Sequence, residues 1–265
     1  MRLTRRSKKW AILAVLLLLT PCAVWTADKI WPLPLNEVQM ARIVVAQDGT
    51  PLWRFADSDG IWRYPVTLDQ VSPYYLEALI NYEDRRFYQH HGVNVLSIGR
   101  ALWQNLVSGR IVSGGSTISM QVARLIEPHD RTVAGKIKQL WRTFQLEWYL
   151  SKDEILTLYL NRAPYGGTLQ GIGAASWSYL AKPPSELTRS EAALMAVLPQ
   201  APSRLRPDRY PKLAQAARDK VLNRLADYGV WPQDTVNELL QESVYLSSRT
   251  TPQSAPLLAR RMINQ

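Results

Sequence analysis

The densest chemistry in this chain lies in ten consecutive residues, Glu83-Asp84-Arg85-Arg86-Phe87-Tyr88-Gln89-His90-His91-Gly92. Two carboxylates, two guanidiniums and two imidazoles are interleaved with an aromatic pair, just after an amphipathic stretch from Pro73 to Tyr82. Such a cluster suits the lip of an active site, where a carboxylate moves a proton and cations steady a charged substrate. It equally suits a helix end whose charges compensate one another. His90 and His91 are adjacent, so on a helix their side chains diverge and do not form a two-histidine metal site.

A second group starts at Ser113-Gly114-Gly115-Ser116. The glycine pair precedes a helix start near Thr117, which leaves backbone N–H groups open to an anion at the positive end of a helix dipole. Along that helix Thr117, Gln121 and Arg124 recur at i, i+4 and i+7, with Ile118, Val122 and Leu125 on an apolar stripe beside them. A hydroxyl, an amide and a guanidinium in line make a cradle for phosphate or sugar; a capped surface helix carries the same pattern. The P-loop spacing is absent. So are the G-x-S-x-G elbow and the S-x-x-K pair of serine acyl enzymes.

The elements that position these groups are mostly helical. Ile118 to Ile126, Val133 to Leu150 and Ile155 to Leu160 follow helical periodicity, as does Val95 to Val107. In Val133 to Leu150 the residues Ile137, Leu140, Trp141, Phe144 and Trp148 form the expected core stripe, with Lys136, Lys138 and Arg142 on other faces. Ser151-x-x-Glu154 and Thr188-x-x-Glu191 fit capping boxes. Leu213 to Tyr228 is helical and stops at Gly229. Before Pro73, Arg42 to Ala46 and Leu52 to Ala56 flank Asp48-Gly49, a hairpin signal, and Trp62-Arg63-Tyr64 extends that small sheet.

The chain has 265 residues and a net charge of +10, five units of which come from Arg2, Arg5, Arg6, Lys8 and Lys9. The remainder is mildly basic, which suits an anionic partner or a membrane surface; no zinc-finger, basic-zipper or RNA-binding signature accompanies it, so no nucleic-acid partner is expected. The lone Cys22 excludes an internal disulfide framework and a cysteine-based metal site. Trp10 to Ala27 carries no charge and is near the lower length limit for a membrane span. The basic residues before it place the amino terminus in the cytoplasm, and Trp25 and Trp31 flank the outer boundary. Trp25 stands where a cleaved signal wants a small residue, so the segment reads as an uncleaved anchor. The expected organisation is a basic tail (1–9), a transmembrane anchor (10–27), a β segment (28–72), a helical catalytic domain (73–246) and a tail (247–265).

Taken in order, Glu83-Asp84-x-x-Phe87-x-x-His90-x-Gly92, Gly114-Gly115-Ser116-Thr117-Ile118-x-x-Gln121, Lys136 with its basic helix, and Ile155-Leu156-x-x-Tyr159-Leu160-Asn161 with Gly166 resemble the peptidoglycan glycosyltransferases of glycosyltransferase family 51. These form the first catalytic domain of class A penicillin-binding proteins. The resemblance covers roughly residues 42 to 228 and implies a mainly α, lysozyme-like fold with a membrane-dipping subdomain. It implies polymerisation of lipid II with inversion at the donor anomeric carbon and release of undecaprenyl diphosphate, on the outer face of the bacterial cytoplasmic membrane. Glu83 matches the general base, supported by Asp84, Phe87 and His90. Ser116, Thr117, Gln121, Arg124, Lys136 and Gln139 match positions that hold substrate near the diphosphate, and Mg²⁺ or Mn²⁺ is an expected aid. Lipid II, the growing glycan strand, the membrane and other wall-synthesis proteins are the implied partners. A transpeptidase, which follows in relatives of this kind, is not expected in this stretch.

One departure bears on the chemistry. Where many members have Arg-Lys-x-x-Glu, this chain reads Gly135-Lys136-x-x-Gln139. An amide donates and accepts hydrogen bonds but carries no charge for a divalent cation. Glu147, eight residues on, is about 12 Å up the helix and roughly 80° round from Gln139, too far to substitute. A catalytically weak lipid II-binding scaffold and a lysozyme-like glycan-cleaving enzyme are the alternatives.

Overall fold

The computed structural model describes residues 19–35, 41–45, 47, 51–94, 99–100, 103–104, 107–108, 115–130, 132–246, 257 and 261–262. The chain divides into two compact units, 1–36 and 37–265. In the first, residues 19–30 are helical, and the Lys29 ammonium lies over the Trp25 ring. Half of the anchor expected over 10–27, residues 10–18, lies outside the described residues, and no described helix is long and apolar enough to cross a membrane. The expected helix 95–107 and the tail beyond 247 fall largely outside them as well.

The second unit opens with the expected hairpin. β1 (Ile43–Val45) pairs antiparallel with β2 (Pro51–Arg54), with Ile43 opposite Arg54; the Asp48-Gly49 turn lies outside the described residues. Trp62-Arg63 does not extend it. This strand, β3 (Trp62–Arg63), instead pairs parallel with β5 (Leu169–Gln170), which pairs antiparallel with β4 (Pro164–Gly166). The reason is side-chain anchoring: the Arg63 guanidinium is shared between Asp57 and Gln170, which pulls the strand onto the helical body.

Eight helices among the described residues carry that body. α1 (Pro73–Glu83) has proline at its first position and buries Tyr75, Ala78, Leu79 and Tyr82, one face at helical spacing. α2 (Ile118–Ile126) is capped by Thr117 and α3 (Val133–Tyr149) by Thr132. α4 (Lys152–Arg162) and α6 (Arg189–Val197) begin with the expected capping boxes. α5 (Gly171–Leu180) meets the sheet closely: a Cβ on Gly173 would lie 2.5 Å from the Tyr64 carbonyl oxygen. α7 (Pro211–Asp227) ends at Gly229, which adopts φ +66°. α8 (Gln233–Gln241) adds an element beyond the periodicity argument. The core is centred on α6, nearly all of which is buried between α1 and α7.

α3 inverts the expectation made for it. Its buried face is Gly135, Gln139, Arg142, Thr143, Gln145 and Leu146. Of the stripe assigned to the core, Ile137 is 63% and Trp148 66% exposed, and Leu140 and Phe144 also face solvent. The inward face is polar because α3 is fastened to α2 by hydrogen bonds rather than by apolar contact. Gln139 Nε2 donates to the Met120 carbonyl at 2.6 Å, and Arg142 and Lys138 clasp Glu127 at 2.6 and 2.7 Å. Buried polar groups of this kind must be paired, and here they pair with each other.

Candidate active site

Glu83 is the last residue of α1, and Asp84 leaves the helix with φ −155°. That break sends two neighbouring carboxylates to different places. Glu83 accepts from Gln121 Nε2 of α2 at 2.7 Å and from Gln200 Nε2 at 2.7 Å, one amide on each oxygen. Gln200 is in turn held by the Tyr82 hydroxyl at 3.4 Å, and the Arg224 guanidinium lies over the Tyr82 ring at 4.6 Å. Burial pushes the Glu83 carboxyl above its ordinary value. The Gln121 and Gln200 amides and the Arg224 charge pull it back, and the Asp84 charge adds to the rise. A partly desolvated carboxylate with neutral donors is suited to accept a proton.

Asp84 plays another part. Its buried carboxylate lies 2.9 Å from His90 Nε2 and accepts the Ile118 N–H at 3.1 Å, so it ties the end of α1 to the start of α2. Phe87 is fully buried, with the Lys152 ammonium 4.7 Å from its ring centre. Thr117 is buried too: its hydroxyl accepts the Met120 N–H at 3.2 Å and donates to the Gly92 carbonyl, so it caps α2. Asp84, Phe87, His90 and Thr117 therefore hold the frame around Glu83. Glu147 belongs to that frame as well, bonded to Ser119 and, at 2.7 Å, to Lys152.

Arg124 is one helical turn beyond Gln121 and opens into a cavity of about 290 Å³ with Ser116, His129, Asp130, Lys136 and Gln139. Lys136 Nζ donates to Gln139 Oε1 at 3.0 Å. Burial, and then the neighbouring Arg124, hold the Lys136 ammonium below its ordinary value. Two cations thus converge on one cavity with Asp130 as the only carboxylate among its lining residues, a setting that favours an anionic ligand. Gly135 has a steric reason: a Cβ there would lie 2.2 Å from the Asp130 carbonyl oxygen, so a larger residue has no room without a shift of the backbone.

The same residues do not fit a protein-held Mg²⁺ or Mn²⁺. The Gln139 oxygen is taken by Lys136, Asp84 by His90 and a backbone N–H, and Glu83 by two amides. Among the described residues no three acidic, histidine or cysteine groups cluster for a metal. Sequence reasoning missed Gln200 and Arg224. Gln200 lies in Leu198-Pro199-Gln200-Ala201-Pro202, where prolines point to a connection and nothing local points to Glu83, 117 residues earlier.

Comparison with known proteins gives four concordant findings. A family described as Transglycosylase matches residues 48–226. The chain is 64% identical to penicillin-binding protein 1C of Escherichia coli over 264 residues, covering 100% of this chain and 34% of that protein. It is 38% identical to penicillin-binding protein 1A of the same organism (78% of this chain, 24% of that one) and 39% identical to penicillin-binding protein 1F of Bacillus subtilis (63% and 24%). The chain therefore spans about a third of the first relative's length and about a quarter of the others'.

Proposed function

The chain belongs to the transglycosylase family, and from that premise we propose that it is a peptidoglycan glycosyltransferase polymerising lipid II into glycan strands. The observation that carries this reading is the geometry of α2. One face of that helix presents Gln121 to the Glu83 carboxylate and, a turn later, Arg124 to the cation-lined cavity.

In the proposed reaction the 4-hydroxyl of the acceptor sugar attacks the anomeric carbon of the lipid-linked donor. The new O4–C1 bond forms as the C1–phosphate bond breaks on the opposite face, giving inversion. The hydroxyl proton passes to the Glu83 carboxylate, which Gln121 and Gln200 hold in place. The charge developing on the departing diphosphate is met by Arg124 and Lys136, with Ser116 at the cavity edge. No step is routed through a metal; a divalent cation would arrive with the diphosphate rather than on protein ligands.

On the same reading the helical body is lysozyme-like and anchored through 10–27, with the catalytic unit outside the cytoplasm. The outward apolar face of α3, with Lys136 and Lys138 on the same helix, suits contact with an anionic lipid surface.

Labelled lipid II incubated with the chain should give lysozyme-sensitive polymer, and the Glu83→Gln chain should give it at least about a hundredfold more slowly. Equal polymer from both would remove Glu83 from the mechanism. Soluble fragments released from cell wall without consumption of lipid II would instead indicate glycan cleavage.

A further inference from the structure

The described residues include three buried arginines, and two of them are satisfied. Arg142 has Glu127 and Gln145, and Arg218 has Asp219 and Ser190. Arg54, at the end of β2, is only 4% exposed, yet its Nε has no hydrogen-bond partner among the described residues. The buried Tyr64 hydroxyl beside it has none either. The Arg54 guanidinium carbon lies 3.7 Å from the centre of the Trp177 ring and 5.7 Å from that of Tyr64. Burial holds this guanidinium below its ordinary value, and Tyr64 opposes that shift only in part. Taking a guanidinium out of water without a counter-charge is costly, so its persistence asks for an anion.

The space for one is present. Arg54 and Tyr64 line a cavity of about 490 Å³ whose walls include Ile43, Val66, Trp177 and Pro184, with the exposed Asp69, Gln70 and Ser185 also on it. It shares no lining residue with the Arg124–Lys136 cavity. Its size is within the range of roughly 300–1,000 Å³ usual for small-ligand sites. Gly173 lets α5 close onto the Tyr64 backbone, and Trp177, one turn further on the same face, reaches Arg54. A guanidinium whose carbon lies 3.7 Å from an indole centre commits one side to the ring and leaves N–H groups for a planar acceptor.

We propose that this cavity is a ligand site for a carboxylate carried on an apolar group, as at the free end of a short peptide or on an N-acylated amino acid. Arg54 supplies the charged fork, Tyr64 a further O–H donor, and the apolar walls take the adjoining side chain. A carboxylate fits better than a phosphate because Arg54 is the one cation among the lining residues and the exposed Asp69 is also on the wall, so a dianion would be half compensated and repelled.

The test is calorimetric titration of the full chain in detergent with N-acetyl-Leu-Ala, the same dipeptide as its C-terminal amide, N-acetyl-alanine and methyl phosphate. The free acids should bind at least tenfold tighter than the amide and than methyl phosphate. A dipeptide preferred over N-acetyl-alanine identifies a peptide end as the source, and equal binding identifies the single residue. Arg54→Met should lose at least tenfold in affinity for the acid. The acid–amide comparison uses the unaltered chain, so it stands even where the variant fails to fold. No binding of either acid at 10 mM, or equal binding of acid and amide, overturns the proposal.

Discussion

Glu83 and Lys136 are held in opposite ways, and the contrast explains how one helix can serve two charges. Around Glu83 the direct donors are neutral amides, and burial raises the carboxyl. Around Lys136 the close partner is again an amide, Gln139, and burial with Arg124 lowers the ammonium. An acid moved up and a base moved down are both brought nearer neutrality, where protons and anions are exchanged most readily. Asp84 shows the alternative. Clamped by His90 and a helix N–H, it is fixed in place and serves the frame. The amides of Gln121 and Gln139 keep Glu83 and Lys136 from the same fate.

The largest expected effect tests one side of this contrast. Glu83→Gln should cost about 10²–10⁴ in turnover, the usual contribution of a positioned base, with lipid II binding retained; a change in binding alone would reassign Glu83 to recognition. Next, Lys136→Ala or Arg124→Ala should each lower kcat by about 10²–10³, as for removal of one stabilising charge. A rise in KM at constant kcat would place these cations in ground-state binding and dissolve the division of labour.

Gln200→Ala should be milder, about tenfold, the worth of one hydrogen bond to a charged group, and it carries a pH signature. The base works ionised, so the rate rises with pH through the Glu83 pKa, which lies above the ordinary 4.5. Removing an amide that favours the charged form raises that pKa further, so the acid limb must move to higher pH in Gln200→Ala and Gln121→Ala. A limb that stays put would sever both amides from Glu83. The smallest effect is expected at Gln139, where Gln139→Glu would give Lys136 an ion-pair partner and add a cation ligand. Chelation should leave the unaltered chain nearly as active and slow the variant.

Much of this was legible in the sequence because it is local. Ser151 and Thr188 announce their helices through a glutamate three residues on, and Ile118–Ile126 follows from periodicity and its Thr117 cap. Glu83, Gln121, Arg124 and Lys136 came through motif order, and the structure brings Gln121 to Glu83 and Arg124 to Lys136. What failed to show is non-local. The Gln200 contact with Glu83 depends on how α6 packs on α1, and β3 leaves the hairpin because Arg63 finds Gln170. The face of α3 was misassigned because apolar spacing reveals which residues share a side but not which side turns inward. There the hydrogen bonds of Gln139, Arg142 and Gln145 decide the matter.

That reversed helix has a mechanical consequence. α3 is 17 residues long, a rod of about 25 Å, and it carries both the outward aromatic face and Lys136. A rod cannot tilt at one place alone. With its oily side settled in a bilayer, as proposed, the depth and pressure of the lipid set the height of the ammonium that meets the departing diphosphate. Membrane thickness then becomes a control on turnover, felt through a single lever.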